Sequence, residues 1–187
     1  MTPQLQAIAD EFRAAERRLH RLVHSAAPAA WARRPQPGAW TAAECVEHLN
    51  LTGEAFVPVL RAAIKDARAA GLTGEGPFRR DPIGWLLWRV MAPPVRRMRV
   101  KTSAPFVPTG GATPADLVAR FDALQEEQLD CLRASDGLAL DRIRFASPFS
   151  ARVRYNLYAA FAILPRHQER HIWQAERAAA AAPARGG

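Results

Sequence analysis

The chain has 187 residues, 49% of them hydrophobic, with 26 Lys+Arg against 18 Asp+Glu and a formal net charge of +8. That apolar share excludes an intrinsically disordered chain, and the length suits a single domain over 1–187. No run approaches the ~20 apolar residues of a membrane span, so no membrane partner is expected.

The start, Met1-Thr-Pro-Gln-Leu5, lacks the basic and apolar regions of a signal peptide. Two cysteines, Cys45 and Cys131, are too few for a disulfide framework and fall inside helical patterns. A reduced, cytoplasmic protein is the expectation.

Four long helical patterns follow in chain order. The first runs from about Thr2 to Ser25, with Leu5, Ile8, Phe12, Leu19, Leu22 and Val23 at 3–4 spacing. After a loop from Trp31 to Trp40, the second opens at Thr41 with Glu44 three residues on. That pair forms a capping box satisfying two otherwise free backbone donors. Its apolar row, Val46, Leu49, Val57, Leu60 and Ile64, stops near Gly71, and Pro58 should kink it.

From Pro77 through Pro114 the chain holds seven of its 15 prolines. One short helix, about 82–91 after the cap-like Asp81, is expected there. Apart from that helix the segment reads as a long ordered loop, and 82–112 as a whole is a proline-rich basic excursion. Connections beyond ~12–15 residues in a compact domain are usually functional or disordered.

Thr113-Pro114-Ala-Asp116 starts the third helix with an N-cap, a proline at the first position and an acid in the first turn. Leu117, Phe121, Leu124, Leu129 and Leu132 carry it to Gly137. A loop over 138–150 leads to the fourth, roughly Ala151 to Ala181, through Val153, Leu157, Phe161 and Leu164, with a kink at Pro165. Residues 182–187 form a flexible tail. With no period-two run long enough for a sheet, the fold class is all-α: a four-helix bundle with a long excursion between helices two and three.

The positive charge is nearly all arginine and unevenly placed. Residues 82–115 carry five basic residues and no acid, and residues 142–168 carry five more, again with no acid. Such blocks invite a nucleic-acid reading. Neither has the aromatic/Gly pattern of an RNA-binding sheet or a recognisable helix-turn-helix, so nucleic acid is not the expected partner. A funnel for a small anionic substrate, using Arg96, Arg97 and Arg99, accounts for the charge better.

Two histidine pairs, His20/His24 and His167/His171, have the i, i+4 spacing that places both imidazoles on one helix face. Spacing alone cannot choose between them. His20/His24 sit at a helix end among Arg17, Arg18 and Arg21, which would repel a dication, and read as a solvated terminus. His167/His171 interrupt an apolar helix, and Gln174 continues their face. His48 lies mid-helix, where a lone histidine is ordinarily a satisfied core residue. If helices two and four are neighbours, three histidines converge.

Trp40-Thr-Ala-Ala-Glu-Cys-Val-Glu-His48-Leu resembles the start of helix two in the DinB-like superfamily, where a tryptophan and a small hydroxyl cap precede the first metal histidine. His167-Gln-Glu-Arg-His171-Ile-Trp-Gln174 is similar to the stretch supplying the other two ligands there. Met98 to Pro108 resembles a proline-rich segment of one branch. Together they extend the likeness over about residues 5 to 178.

The resemblance implies a three-histidine site of His48, His167 and His171 for a divalent metal. Zinc is the default, while Ni, Fe, Mn and Co suit the same ligands. Three neutral ligands leave a position open, as in catalytic rather than structural sites. Characterised relatives include thiol-dependent S-transferases and isomerases, and many dimerise. The implied function is therefore a metal-dependent transferase or hydrolase that activates a small thiol cofactor or water, in a homodimer.

Glu44, Arg170 and Gln174 are candidate second-layer or substrate groups. For Glu44 the capping box competes, and for Arg170 a salt bridge with Glu169 or Glu126. Cys45, one turn from His48, reads as a buried, inert thiol. No catalytic residue beyond the metal set is assigned. The alternative is a non-catalytic bundle that binds a metal, ligand or partner.

Overall fold

The computed structural model describes residues 1–91 and 102–181. It is mostly helical. In chain order the elements are α1 (Pro3–Ser25), α2 (Pro28–Trp31), α3 (Ala42–Ala69), α4 (Pro82–Val90), a 3-10 turn (Ala104–Phe106), α5 (Pro114–Ala134), β1 (Arg144–Ser147), β2 (Ser150–Asn156) and α6 (Leu157–Ala180). No helix among the described residues is long and apolar enough to cross a membrane. Residues 92–101 of the proline-rich excursion, Arg96, Arg97 and Arg99 among them, and the tail 182–187 lie outside the described residues.

The long helices start where side chains satisfy their free N–H groups. Thr2 accepts from Leu5 N, Thr113 from Asp116 N, and Thr41 and Glu44 form the complete reciprocal capping box. Both α3 and α6 run through their internal prolines, Pro58 and Pro165. Helix α3 packs along α5 and α6, and α1 packs along the same two. One buried cluster joins Phe12, Phe56, Leu60, Leu132 and Phe161. A second gathers Leu19, Trp31, Val46, Phe121 and Ile172.

The stretch before α6 departs from the expected helix. Residues 144–156 form a two-stranded antiparallel hairpin turning at Pro148 and Phe149. Val153 thus lies in β2, and the last helix begins at Leu157 rather than near Ala151. The cause is local. Asn156 accepts from Ala159 N at 2.9 Å and caps the helix there. Upstream, Phe145 and Tyr155 pair across the strands with ring centroids 5.1 Å apart, and both are buried. Arg152 and Arg154 alternate outward.

Helix α4 docks on α6 through Gly84. A Cβ there would lie 2.3 Å from Ala159 Cβ and 2.8 Å from Asp81 Oδ1. The Ala159 Cβ is fixed to the α6 backbone and cannot rotate away, so α4 would have to lift. Gly84→Ala is expected to cost about 1–3 kcal/mol in urea denaturation. A neutral result would mean that α4 is not seated on α6.

Candidate metal centre

Helix α3 carries His48 and α6 carries His167 and His171, one turn apart. Because α3 and α6 pack together, all three imidazoles meet in the interior, 3%, 6% and 8% exposed. Each offers a ligand nitrogen, and these nitrogens all lie within 4.8 Å of one another. Ring centroids are 4.4 Å apart for His48/His171, 4.5 Å for His167/His171 and 5.2 Å for His48/His167.

His48 is oriented by the backbone. Its Nδ1–H donates to the Phe106 carbonyl at 2.7 Å, which leaves the Nε2 lone pair facing the other rings. The segment bearing that carbonyl is itself clamped. Glu47, beside His48 in sequence, accepts from Thr109 N and Gly110 N, each at 2.9 Å, and from the Thr109 hydroxyl at 3.0 Å. Gly110 has φ 78°, a left-handed conformation that glycine adopts freely. One acidic side chain thereby fixes the loop that orients the next residue's imidazole.

All three imidazoles are held neutral. Burial pushes His167 down to about 3, with His48 and Arg170 adding to the shift. It also lowers His171 well below its ordinary value, reinforced by His167, His48 and Arg170 and opposed by Gln174. Burial lowers His48 too, against the Phe106 carbonyl. Their lone pairs are thus available at neutral pH.

The Nε2 atoms of His48 and His167 are 3.3 Å apart. Two nitrogens on one tetrahedral Zn²⁺, at roughly 2.0–2.1 Å each, would be separated by about 3.3 Å. His171 Nδ1 is buried with no hydrogen-bond partner among the described residues, an unusual cost for a native interior. Spacing, neutrality and the orphaned nitrogen all fit a divalent cation.

The other candidates fall in different places. Both Glu44 oxygens are engaged: Oε2 accepts from Thr41 N at 2.7 Å and Oε1 from Arg34 at 2.5 Å. Burial raises the Glu44 carboxyl, yet Arg34 and Thr41 together hold it below the usual range. Arg170 is buried and donates to the Val90 carbonyl at 3.1 Å. The carboxylates proposed for it are used elsewhere, Glu169 by Arg18 and Glu126 by Arg133.

Of the tryptophans, Trp40 lies against the triad, 4.9 Å from the His48 ring and 5.9 Å from His171. Trp88 instead lies against the guanidiniums of Arg80 and Arg166. Trp173 lies under Arg177, and Trp85 is exposed.

His20 meets Asp122 at 3.0 Å on the surface of α1 and α5, with Glu16 nearby. These side chains also bring ligand atoms together. There, however, the imidazole already has a carboxylate partner, and His20 is 41% exposed. Sequence reasoning missed Phe106, Glu47 and Phe149 as neighbours of the site. A backbone carbonyl leaves no side-chain signature, and only the acid beside His48 hinted at the clamp.

Cys45 is buried one turn from His48. Burial pushes its thiol up to about 12, helped by Glu44, and burial also raises Cys131. The native protein at pH 8 is expected to give under ~0.2 equivalents of fast thiol reaction with a disulfide reagent, and two after denaturation. A fast native equivalent would return Cys45 to the list of nucleophiles.

The helical fold and its interior imidazoles define a helical protein with a candidate metal centre. The family model of the DinB superfamily matches residues 11–175, and the chain belongs to that superfamily. No curated protein and no solved structure matches the chain.

Proposed function

We propose that His48, His167 and His171 bind a divalent metal, with zinc the default, and that the protein is a metal-dependent transferase or hydrolase acting on a small molecule. The observation that carries this reading is the cluster of three neutral, buried imidazoles with a 3.3 Å nitrogen separation and one unpartnered nitrogen. A dication with only neutral ligands keeps its charge and at least one free position. When bound, it would lower the pKa of a coordinated thiol or water toward neutrality.

The chain's own residues supply the rest. Phe106 and Glu47 hold His48 in the tautomer that presents Nε2. Trp40 and the apolar walls exclude water. Arg170, buried beside the two α6 histidines, favours an anionic thiol or carboxylated substrate. The high thiol pKa values of Cys45 and Cys131 argue that the nucleophile is supplied from outside. The closed cycle of α1, α5, α3 and α6 supports a four-helix bundle with the site between α3 and α6.

The test is metal-dependent conjugation of small thiols to 1-chloro-2,4-dinitrobenzene, alongside hydrolysis of p-nitrophenyl acetate. The expected result is a rate in metal-loaded protein that falls at least ~10-fold after chelation. Equal rates in loaded and stripped protein for every thiol and ester would overturn the enzymatic reading.

A further inference from the structure

The triad is enclosed, so a ligand must reach it past a surface residue. Trp40 is half-buried over His48 and His171, while Phe106 and Phe56 are 4% and 2% exposed. Phe149 differs, combining contact with the site and exposure to solvent. Its ring lies 6.0 Å from His167, 4.4 Å from Phe106 and 5.7 Å from Phe56, yet the residue is 38% exposed.

The placement of Phe149 has a structural cause. It occupies the two-residue turn of the hairpin, with Ser147 paired to Ser150 and a bulge between Ala146 and Ser147. A two-stranded hairpin alone is marginal. Here its base is fixed by buried Phe145 and Tyr155, and the Ser147 hydroxyl accepts from Phe149 N at 3.3 Å. The anchored strands thus carry an aromatic ring to the edge of the histidine cluster. There it meets the residue whose carbonyl orients His48.

We propose that Phe149, backed by Phe106 and Phe56, forms the wall of the approach to the triad and selects ligands carrying an apolar, aryl-sized group. This rests on the metal reading above and adds its substrate class: aryl or aralkyl thiols and electrophiles over small polar ones. An exposed ring beside two others offers the offset or edge-to-face packing that an aryl group favours. A metal held by the three imidazoles would meanwhile take the polar atom of the same ligand.

The experiment uses the full chain loaded with Co²⁺ and titrates two probes, benzyl mercaptan and 2-mercaptoethanol, following the cobalt–thiolate absorption. The wild type is expected to bind benzyl mercaptan at least about 10-fold more tightly. Phe149→Ala should reduce that ratio to about 2-fold or less and leave the 2-mercaptoethanol affinity unchanged. Phe149→Tyr should retain the preference. The cobalt spectrum before thiol addition reports whether each variant keeps its site, and Phe149→Leu replaces alanine if it does not. Equal affinities in the wild type, or a preference that survives loss of the ring, overturns the proposal while leaving the metal reading standing. Failure of the wild type to load cobalt overturns both.

Discussion

His167→Ala is expected to reduce bound metal from about one per chain to under ~0.1 after desalting, measured by elemental analysis of untagged protein. The substitution leaves two nitrogens, His48 Nε2 and one from His171, where three converged within 4.8 Å. Two neutral ligands leave at least half of a tetrahedral coordination sphere to water, so the ion is held weakly and lost on desalting. Stability should follow by mass action. A ligand present at a hundred times its Kd adds about 2.7 kcal/mol to the native state, so chelation should lower the wild-type Tm. The variant's Tm should not respond to chelator. Its metal-free form should lie within roughly 1–3 kcal/mol of metal-free wild type, the cost of trimming one buried ring. Retained metal in the variant, or equal chelator shifts in both proteins, would remove His167 from the ligand set.

The second large effect concerns the core that brings α3 and α6 together. Phe161, fully buried on α6, belongs to the cluster with Phe12 of α1, Phe56 and Leu60 of α3 and Leu132 of α5. Phe161→Ala is expected to cost about 3–5 kcal/mol, because the apolar transfer term is lost and the rigid surroundings leave a cavity. For a chain of this size that corresponds to a fall in Tm of roughly 6–20 °C. At low temperature the variant should still bind metal, since all three imidazoles are retained. A loss below ~1 kcal/mol in urea denaturation would mean that the helices are not joined through this cluster.

Much of this arrangement is legible in the sequence, for identifiable reasons. The second and third long helices announce themselves through side chains that cap them, Thr41 with Glu44 and Thr113 with Pro114 and Asp116. The structure places their starts where those residues lie. The hairpin is not legible in the same way. Val153, Leu157, Phe161 and Leu164 keep helical spacing straight through the strand–helix boundary, so periodicity alone extends the helix backward. Asn156, a good N-cap, was the signal against it. The four-residue α2 is too short to carry a period.

The histidines divide along the same line. Motif resemblance picks out His48, His167 and His171, and packing of α3 on α6 brings them together. The fate of His20 depends on Asp122, 102 residues away, which no local pattern reveals. Phe106 orients His48 through its carbonyl, which no side-chain pattern announces, and Phe149 arrives through a turn that helical periodicity hides. Arg170 is left open by the sequence as a substrate group or one half of a salt bridge with Glu169 or Glu126. Its actual acceptor is the Val90 carbonyl, near the end of α4, a contact made by tertiary packing.

The most direct test of the central claim is X-ray absorption at the metal edge of untagged, full-length protein. Histidine coordination predicts nitrogen or oxygen scatterers at about 2.0–2.1 Å, an outer-shell pattern of three imidazoles and no sulfur. Absence of a bound metal would contradict the account. So would a sulfur scatterer at about 2.3 Å, which would make Cys45 a ligand where burial has been read as making it inert.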